Sequence, residues 1–202
     1  MTPPASGRET PLSRDEVVEA ALELTRDVGL NRLTMRGLAN ALGVSPMATY
    51  HYVANKEELV QLVAGAVSAD WPQLEPSELP WDEVLRQHVL QVWEALRRYP
   101  GLGSHLMGLP AAGITEGAVE RAVAFFCAAG FPPSEAALAW SVTETYLHGR
   151  LSVDDLLSGE TGPTRVDDLR ARDYVEYAVD ILIDGLQVRL TRARSSAAGR
   201  SG

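Results

Sequence analysis

The sequence lacks the features that mark secreted, disulfide-rich and membrane-spanning proteins. Its single cysteine, Cys127, excludes an internal disulfide. No stretch approaches the roughly 18 consecutive apolar residues that a transmembrane helix needs. The first eleven residues, MTPPASGRETP, contain no apolar run of the kind found in secretory signals. These absences lead us to expect a cytoplasmic protein.

Positive charge is also scarce. The 202 residues carry a net charge of −9, with one lysine among 18 basic side chains. Residues 1–60 hold 6 basic and 8 acidic side chains, whereas residues 61–202 hold 12 and 19. Nucleic-acid-binding proteins usually display a basic surface, so overall charge argues against DNA. A DNA-binding face in this chain must come from the placement of its charges.

Strand signals are weak, because no segment sustains an alternation of β-branched residues. Helix signals are frequent, beginning with a capping box at Ser13 and Glu16 and ending, for the first helix, at Gly29. The pattern predicts an all-α fold of about nine helices. The predicted helices cover residues 14–28, 34–42, 45–52, 55–71, 81–99, 102–109, 115–129, 134–153 and 166–193.

The most informative segment is LTMRGLANALGVSPMATYHYVANKEEL, residues 33–59. Two short helices joined by a tight turn at Gly43 have the form of a helix-turn-helix. The second helix is barely two turns long and carries Met47, Thr49, Tyr50 and His51. These groups cannot all be buried on so short a helix, and they suit phosphate oxygens and base edges.

This segment resembles the TetR family of bacterial regulators. The resemblance is strong over residues 13–65, and beyond residue 72 it extends only to helix count and layout. At a position where the family most often has Phe or His, this chain has Tyr52. The matching residues are Thr34, Arg36, Leu38, Ala39, Leu42, Gly43, Val44, Ser45, Tyr50, Tyr52, Lys56, Glu57 and Leu59.

The resemblance implies a role in DNA binding for eleven residues. Those placed nearest base edges are Ser45, Pro46, Met47, Ala48 and His51. Those placed at the phosphate backbone are Thr34, Arg36, Tyr50 and Lys56, the last aided by the dipole of its helix. Thr49 would point partly inward, and Tyr52 is expected to pack on the third helix or the backbone rather than to contact DNA.

The resemblance also divides the chain into an arm, two domains and a tail. We expect a disordered arm at 1–11, a helix-turn-helix domain at 12–60, a helical effector-binding and dimerisation domain at 61–194, and a disordered tail at 195–202. The last helix is apolar nearly all round, which predicts burial against a second subunit. The predicted dimer interface comprises Ala137, Ser141, Thr145, Gly149, Ile181, Leu182 and Val188.

A cluster of apolar and aromatic side chains in the second domain has two interpretations, a solid core or an effector pocket. If it is a pocket, its lining is Trp93, Leu96, His105, Leu106, Phe125, Phe126, Trp140, Thr143 and Leu147. The ligand would then be largely apolar, aromatic or polycyclic, and of moderate size. The four histidines show no metal-ligand spacing, so neither a metal nor another cofactor is expected.

The leading hypothesis is a homodimeric repressor that a small effector releases from a palindromic DNA operator. A regulator without an effector, or an activator, is the first alternative. A helical enzyme or ligand carrier is the second, although no nucleophile–base pair or metal set supports an enzyme.

Overall fold

The computed structural model describes residues 12–69, 71–107, 117–158 and 172–198. Across these ranges the chain forms nine α-helices and one 3-10 turn, Leu30–Arg32, and no strand. The all-α prediction is therefore confirmed. The helices are α1 Arg14–Val28, α2 Met35–Leu42, α3 Pro46–Thr49, α4 Lys56–Ala69, α5 Trp81–Leu96, α6 Leu102–Met107, α7 Ala118–Ala128, α8 Pro133–Ser158 and α9 Arg172–Ala198.

Helix α1 begins and ends where local chemistry requires. The backbone N–H of Glu16 donates to the Ser13 hydroxyl over 3.2 Å, and that of Ser13 donates to the Glu16 carboxylate over 2.8 Å. The two bonds satisfy donors that a helix N-terminus leaves unpaired. Gly29 ends the helix with a φ of +79° that favours glycine. The predicted capping box and stop are both confirmed.

The predicted turn between α2 and α3 is also present. Gly43 adopts the left-handed conformation with a φ of +67°, which reverses the chain after α2. Ser45 caps α3, and Pro46 occupies the first helical position, where a missing N–H costs nothing. Helix α3 ends at Thr49, however, and not at Tyr52 as predicted, because the amide of Tyr52 already bonds the carbonyl three residues back, at Thr49.

Helix α4 is shared between the two predicted domains. The Asn55 side chain accepts from the Glu58 amide over 2.9 Å and so starts the helix. Residues on both sides of the predicted boundary at 60/61, including Leu59 and Val63, are fully buried in one continuous core. A shift of the C-terminal bundle can therefore reach the DNA-binding helices through an unbroken element.

Helices α5, α8 and α9 end at residues other than those predicted. Helix α5 stops at Leu96 instead of residue 99, and α8 continues to Ser158 instead of residue 153. Helix α9 runs to Ala198, so the tail predicted to be disordered from residue 195 is helical over 195–198. Arg194 supports this extension by donating to the Ala129 carbonyl over 2.9 Å. The predicted arm at 1–11 and the remaining tail at 199–202 lie outside the described residues.

Among the described helices, none is at once long and apolar enough to cross a membrane. Only α7 and the first part of α8 taken together reach that length and composition, and they are bent by 120° at their junction.

Candidate nucleic-acid interface and effector site

Helix α3 presents most of its predicted DNA-contacting residues to the outside. Met47 is 72% exposed and Tyr50 is 49% exposed, and the side chains of Ser45, Pro46 and His51 are also exposed. A major groove about 12 Å wide admits a helix with such side chains. The five residues can therefore reach base edges or phosphates together.

Thr49 does not belong to this surface. It is fully buried, and its hydroxyl donates to the Pro46 carbonyl over 2.7 Å. The inclusion of Thr49 among the DNA-contacting residues is wrong, because the side chain is needed to seat α3 on the domain. Ala48 is half-buried beside it, so its methyl offers DNA only a small contact.

Tyr52 serves the fold. Its ring is half-buried, and its hydroxyl donates to the carbonyl of Leu12, just before α1. This bond joins the exit of α3 to the entrance of α1 across 40 residues of sequence. The structure thus places Tyr52 in the packing role that the sequence favoured over DNA contact.

Three further predicted residues, Thr34, Arg36 and Lys56, lie in or beside the helix-turn-helix and are all exposed. The Thr34 hydroxyl accepts from the Gly37 amide over 3.0 Å, so it acts first as the cap of α2. Arg36 follows in the first turn of that helix. The Lys56 ammonium donates to the Asn31 carbonyl over 3.2 Å, and it must exchange or share this partner to hold a phosphate.

The predicted effector cluster is mostly solid core. Phe126 is fully buried, and its ring centroid lies 5.3 Å from Phe125 and 5.5 Å from Phe131. Thr143 is buried, and its hydroxyl donates its one hydrogen to the Ala139 carbonyl over 2.9 Å, so it cannot donate to a ligand as well. The other predicted lining residues buried to the same degree are Trp93, Leu96 and Leu147. His105 and Leu106 are half-buried on α6.

A cavity of about 80 Å³ does lie in this domain, between the end of α4 and helices α5, α7 and α8. Of the nine predicted effector residues only Trp140 lines it. The lining residues are Ser68, Trp71, Pro72, Gln73, Leu74, His88, Val92, Ala118, Arg121, Trp140 and Glu144.

His88 and Trp140 form the ring-lined wall of this cavity, with centroids 6.1 Å apart. The Nδ1 atom of His88 lies 2.7 Å from the Pro72 carbonyl oxygen, which can only accept, so Nδ1 carries the hydrogen. Burial lowers the pKa of His88, with the Pro72 bond opposing it, and burial raises the pKa of Glu144 against the opposing effect of His148. The neutral imidazole leaves Nε2 as a hydrogen-bond acceptor.

Sequence reasoning missed His88 and Glu144. A signal was available, because His88 and Val92 are four residues apart on α5, and Trp140 and Glu144 are four apart on α8. Such pairs share a helix face.

The predicted dimer residues lie on an exposed face of α8 and α9. Ile181 and Val188 are 55% and 49% exposed, Ala137, Ser141, Thr145 and Gly149 are exposed, and Leu182 is half-buried. The same face carries two apolar residues that sequence reasoning missed, Leu138 and Val142, which are 61% and 50% exposed. A groove of about 390 Å³ runs between the two helices on this side.

The glycines of this face are not needed by the packing within one subunit. A Cβ atom built on Gly149 or on Gly185 would meet nothing within 4 Å. Glycine in a helix interior destabilises it by roughly 0.5–1 kcal/mol relative to alanine. An external reason for both glycines, such as the close approach of another helix, therefore fits their position.

Comparison with known proteins identifies the family. Residues 17–63 match the family model described as "Bacterial regulatory proteins, tetR family". The chain is 34% identical to the transcriptional repressor DrrR1 of Streptomyces coeruleorubidus over 49% of its own length, but it spans only 37% of that repressor. It is 32% identical to the class G tetracycline repressor of Vibrio anguillarum, covering 69% of this chain and 68% of the relative.

Solved structures extend the likeness to the whole fold. A single-residue variant of TetR from Acinetobacter baumannii AYE, in complex with minocycline, is 30% identical, with a TM-score of 0.70. The match covers 87% of this chain and 93% of that one. All of these similarities are to one family, and the helix-turn-helix with its exposed α3 and the helical bundle agree with that assignment. The chain belongs to the TetR family of bacterial regulatory proteins and is a DNA-binding transcriptional regulator.

Proposed function

We propose that the protein is a homodimeric repressor that binds a palindromic operator and leaves it when a small molecule occupies the C-terminal domain. The observation that carries the proposal is the pairing of an exposed recognition helix with an exposed apolar face on α8 and α9. A dimer built on that face presents two copies of α3, which fits a DNA site with two-fold symmetry.

DNA recognition in this proposal divides between two groups of residues. Met47 and His51 read base edges, because they are exposed on or directly after α3. Tyr50, Arg36 and Lys56 position the domain on phosphates, and such contacts weaken as the salt concentration rises. The acidic remainder of the chain repels DNA and favours binding only through this face.

The cavity beside His88 and Trp140 is the proposed effector site. Trp140 supplies an aromatic wall and the Nε2 atom of His88 an acceptor, so a neutral aromatic compound with a hydroxyl group fits its chemistry. Its volume of about 80 Å³ is about half that of an apolar cavity of about 150 Å³ that binds benzene. We therefore expect binding to enlarge the cavity, one wall of which is the segment that follows α4.

Enlargement of the cavity accounts for release from DNA. The lining residue Ser68 lies at the C-terminal end of α4 and Trp71 lies just after it, whereas Lys56 is the first residue of the helix. A ligand that pushes this end outward favours a different orientation of α4 and of the domain attached to it. An effector with about 2 kcal/mol of preference for that state would reduce operator affinity by roughly 30-fold.

Two measurements, made one after the other, test the proposal. Genomic fragments, including the region upstream of the gene, are first tested for a mobility shift by the wild-type protein at low salt. A library of neutral hydroxylated aromatic compounds is then screened for compounds that raise the melting temperature and reverse the shift. Absence of any shifted fragment contradicts DNA binding, whereas a shift that no stabilising compound reverses supports a regulator without an effector.

A further inference from the structure

A pair of adjacent carboxylates near the end of α8 holds the turn between α5 and α6. The Asp155 carboxylate accepts from the Gly101 amide over 2.8 Å and from the Ser104 hydroxyl over 2.5 Å. The preceding residue, Asp154, accepts from the indole N–H of Trp93 over 3.0 Å and pairs with Arg150. One turn of α8 therefore forms hydrogen bonds both with the end of α5 and with the start of α6.

The turn held by Asp155 is also where the DNA-binding domain rests on the bundle. The Leu30 amide, just after α1, donates to the Pro100 carbonyl over 2.8 Å. A Cβ atom on Gly101 would lie 3.3 Å from the Cβ of Leu30, so the two segments are in close contact. Beside them Arg26 donates two hydrogen bonds to the Tyr99 hydroxyl, at 2.8 and 3.1 Å.

We propose that Asp155 is a positioning residue that sets the orientation of the DNA-binding domain relative to the bundle. Its contacts with Gly101 and Ser104 are named here the Asp155 clasp. The clasp fixes where the Pro100 carbonyl points, and that carbonyl accepts from the Leu30 amide, two residues after α1 ends. Without the clasp, α1 and the helices packed on α1 keep their own core, but the hydrogen bond from Leu30 to Pro100 is no longer held in a fixed position.

Helix α8 gives the clasp a route to the effector cavity. Trp140 and Asp155 lie on the same continuous helix, 15 residues and about 22 Å apart. Gly103 lets α6 approach this helix so closely that a Cβ there would lie 2.8 Å from the Cβ of Leu151. A tilt of α8 at the cavity therefore moves the clasp. Only this link to an effector rests on the proposed function; the positioning role does not.

The first test needs neither ligand nor operator. Hydrogen exchange followed by mass spectrometry reports the protection of the Leu30 amide, which depends on its bond to Pro100. Asp155→Ala is expected to speed its exchange by about 10-fold or more. Asp155→Asn retains an acceptor for the Gly101 amide and should change it little. Asp173→Ala, which removes an exposed carboxylate at the start of α9, should leave it unchanged.

The second test measures orientation through DNA. The probe is a palindromic duplex that the wild type selects from a random-sequence pool, compared with the same duplex carrying one inserted central base pair. The insertion moves the half-sites apart by about 3.4 Å and rotates them by about a tenth of a turn. Wild type and Asp155→Asn should disfavour the insertion by about 100-fold, and Asp155→Ala by less than about 10-fold.

The two tests separate failure of this inference from failure of the proposed function. If the wild type selects no duplex, DNA binding is contradicted, and the Leu30 exchange rate still decides the clasp. If Asp155→Ala is a folded dimer with wild-type Leu30 exchange and wild-type spacing preference, the positioning role is wrong. If Asp155→Ala fails to fold, Ser104→Ala replaces it, because this variant removes one of the two clasp bonds. Ser104→Ala is expected to change the Leu30 exchange rate and the spacing preference in the same directions but by less. If neither quantity changes, the positioning role is wrong.

Discussion

Replacing Ile181 by aspartate tests the proposed subunit interface with little risk to the fold of one subunit. Ile181 is 55% exposed on α9, so the substitution removes little from the core. Complete burial of an isoleucine side chain contributes about 1.5–3 kcal/mol. The exposed part therefore contributes about 1–1.5 kcal/mol per copy on association, or about 2–3 kcal/mol for the two copies of a symmetric dimer.

The expected loss of dimer affinity is at least about 30-fold, before the cost of burying two carboxylates is added. Sedimentation equilibrium over a range of concentrations measures it, and circular dichroism checks that the helices remain. Val28→Asp is the control, because Val28 is 41% exposed and lies on α1 of the helix-turn-helix domain rather than on α8 or α9. Ile181→Asp that associates as strongly as the control and the wild type would refute the placing of the interface.

Four further substitutions separate DNA contacts, core and cavity. Tyr50→Phe should weaken binding to every duplex by about 3- to 10-fold without changing stability, whereas Tyr52→Phe should cost about 1 kcal/mol in urea unfolding because it loses the bond to Leu12; equal effects in both assays would contradict these roles. Thr143→Trp should overpack the core and cost about 1–3 kcal/mol, and a fully stable variant that binds DNA but no longer releases it would show instead that a pocket adjoins this residue. Burial lowers the pKa of His88, so the unfolded chain takes up this proton first as the pH falls. The stability that depends on a neutral His88 is fully present above about pH 6.5 and is lost as the pH falls through the lowered pKa. His88→Phe should therefore lose less free energy of unfolding in urea between about pH 7.5 and 5.5 than the wild type. Identical losses in the two proteins would contradict this role of His88.

The helix-turn-helix was predictable because its signals are local. The hydroxyls of Thr34 and Ser45 cap helices within three residues of themselves, and Gly43 reverses the chain at the predicted place. These effects depend on a few neighbouring backbone groups. The burial of Thr49 was harder to foresee, since it depends on how a single-turn helix is rotated against the rest of the domain.

The ends of α8 and the lining of the cavity depended on contacts remote in sequence. The predicted helix ends at residue 153, before the acidic pair Asp154–Asp155, but both carboxylates accept hydrogen bonds from donors on α5 and at the start of α6, and the helix continues through them. Hydrophobic periodicity marks Phe126 and Trp140 alike as inward-facing. Only the packing of four helices decides that the first is enclosed by other aromatic rings while the second borders a cavity.

Selection of duplexes from a random-sequence pool, carried out in parallel with the wild type and with His51→Ala, tests whether α3 and the residues that follow it read DNA. We expect the wild type to enrich a two-fold symmetric site, and His51→Ala to enrich the same half-site spacing with altered preference at one symmetric pair of base positions. Each altered position should change by about 1–3 kcal/mol of discrimination, read from the enrichment ratios. Enrichment of no symmetric site by the wild type, or identical base preferences for the two proteins, would contradict the assignment of α3 and the residues that follow it as the element that reads DNA.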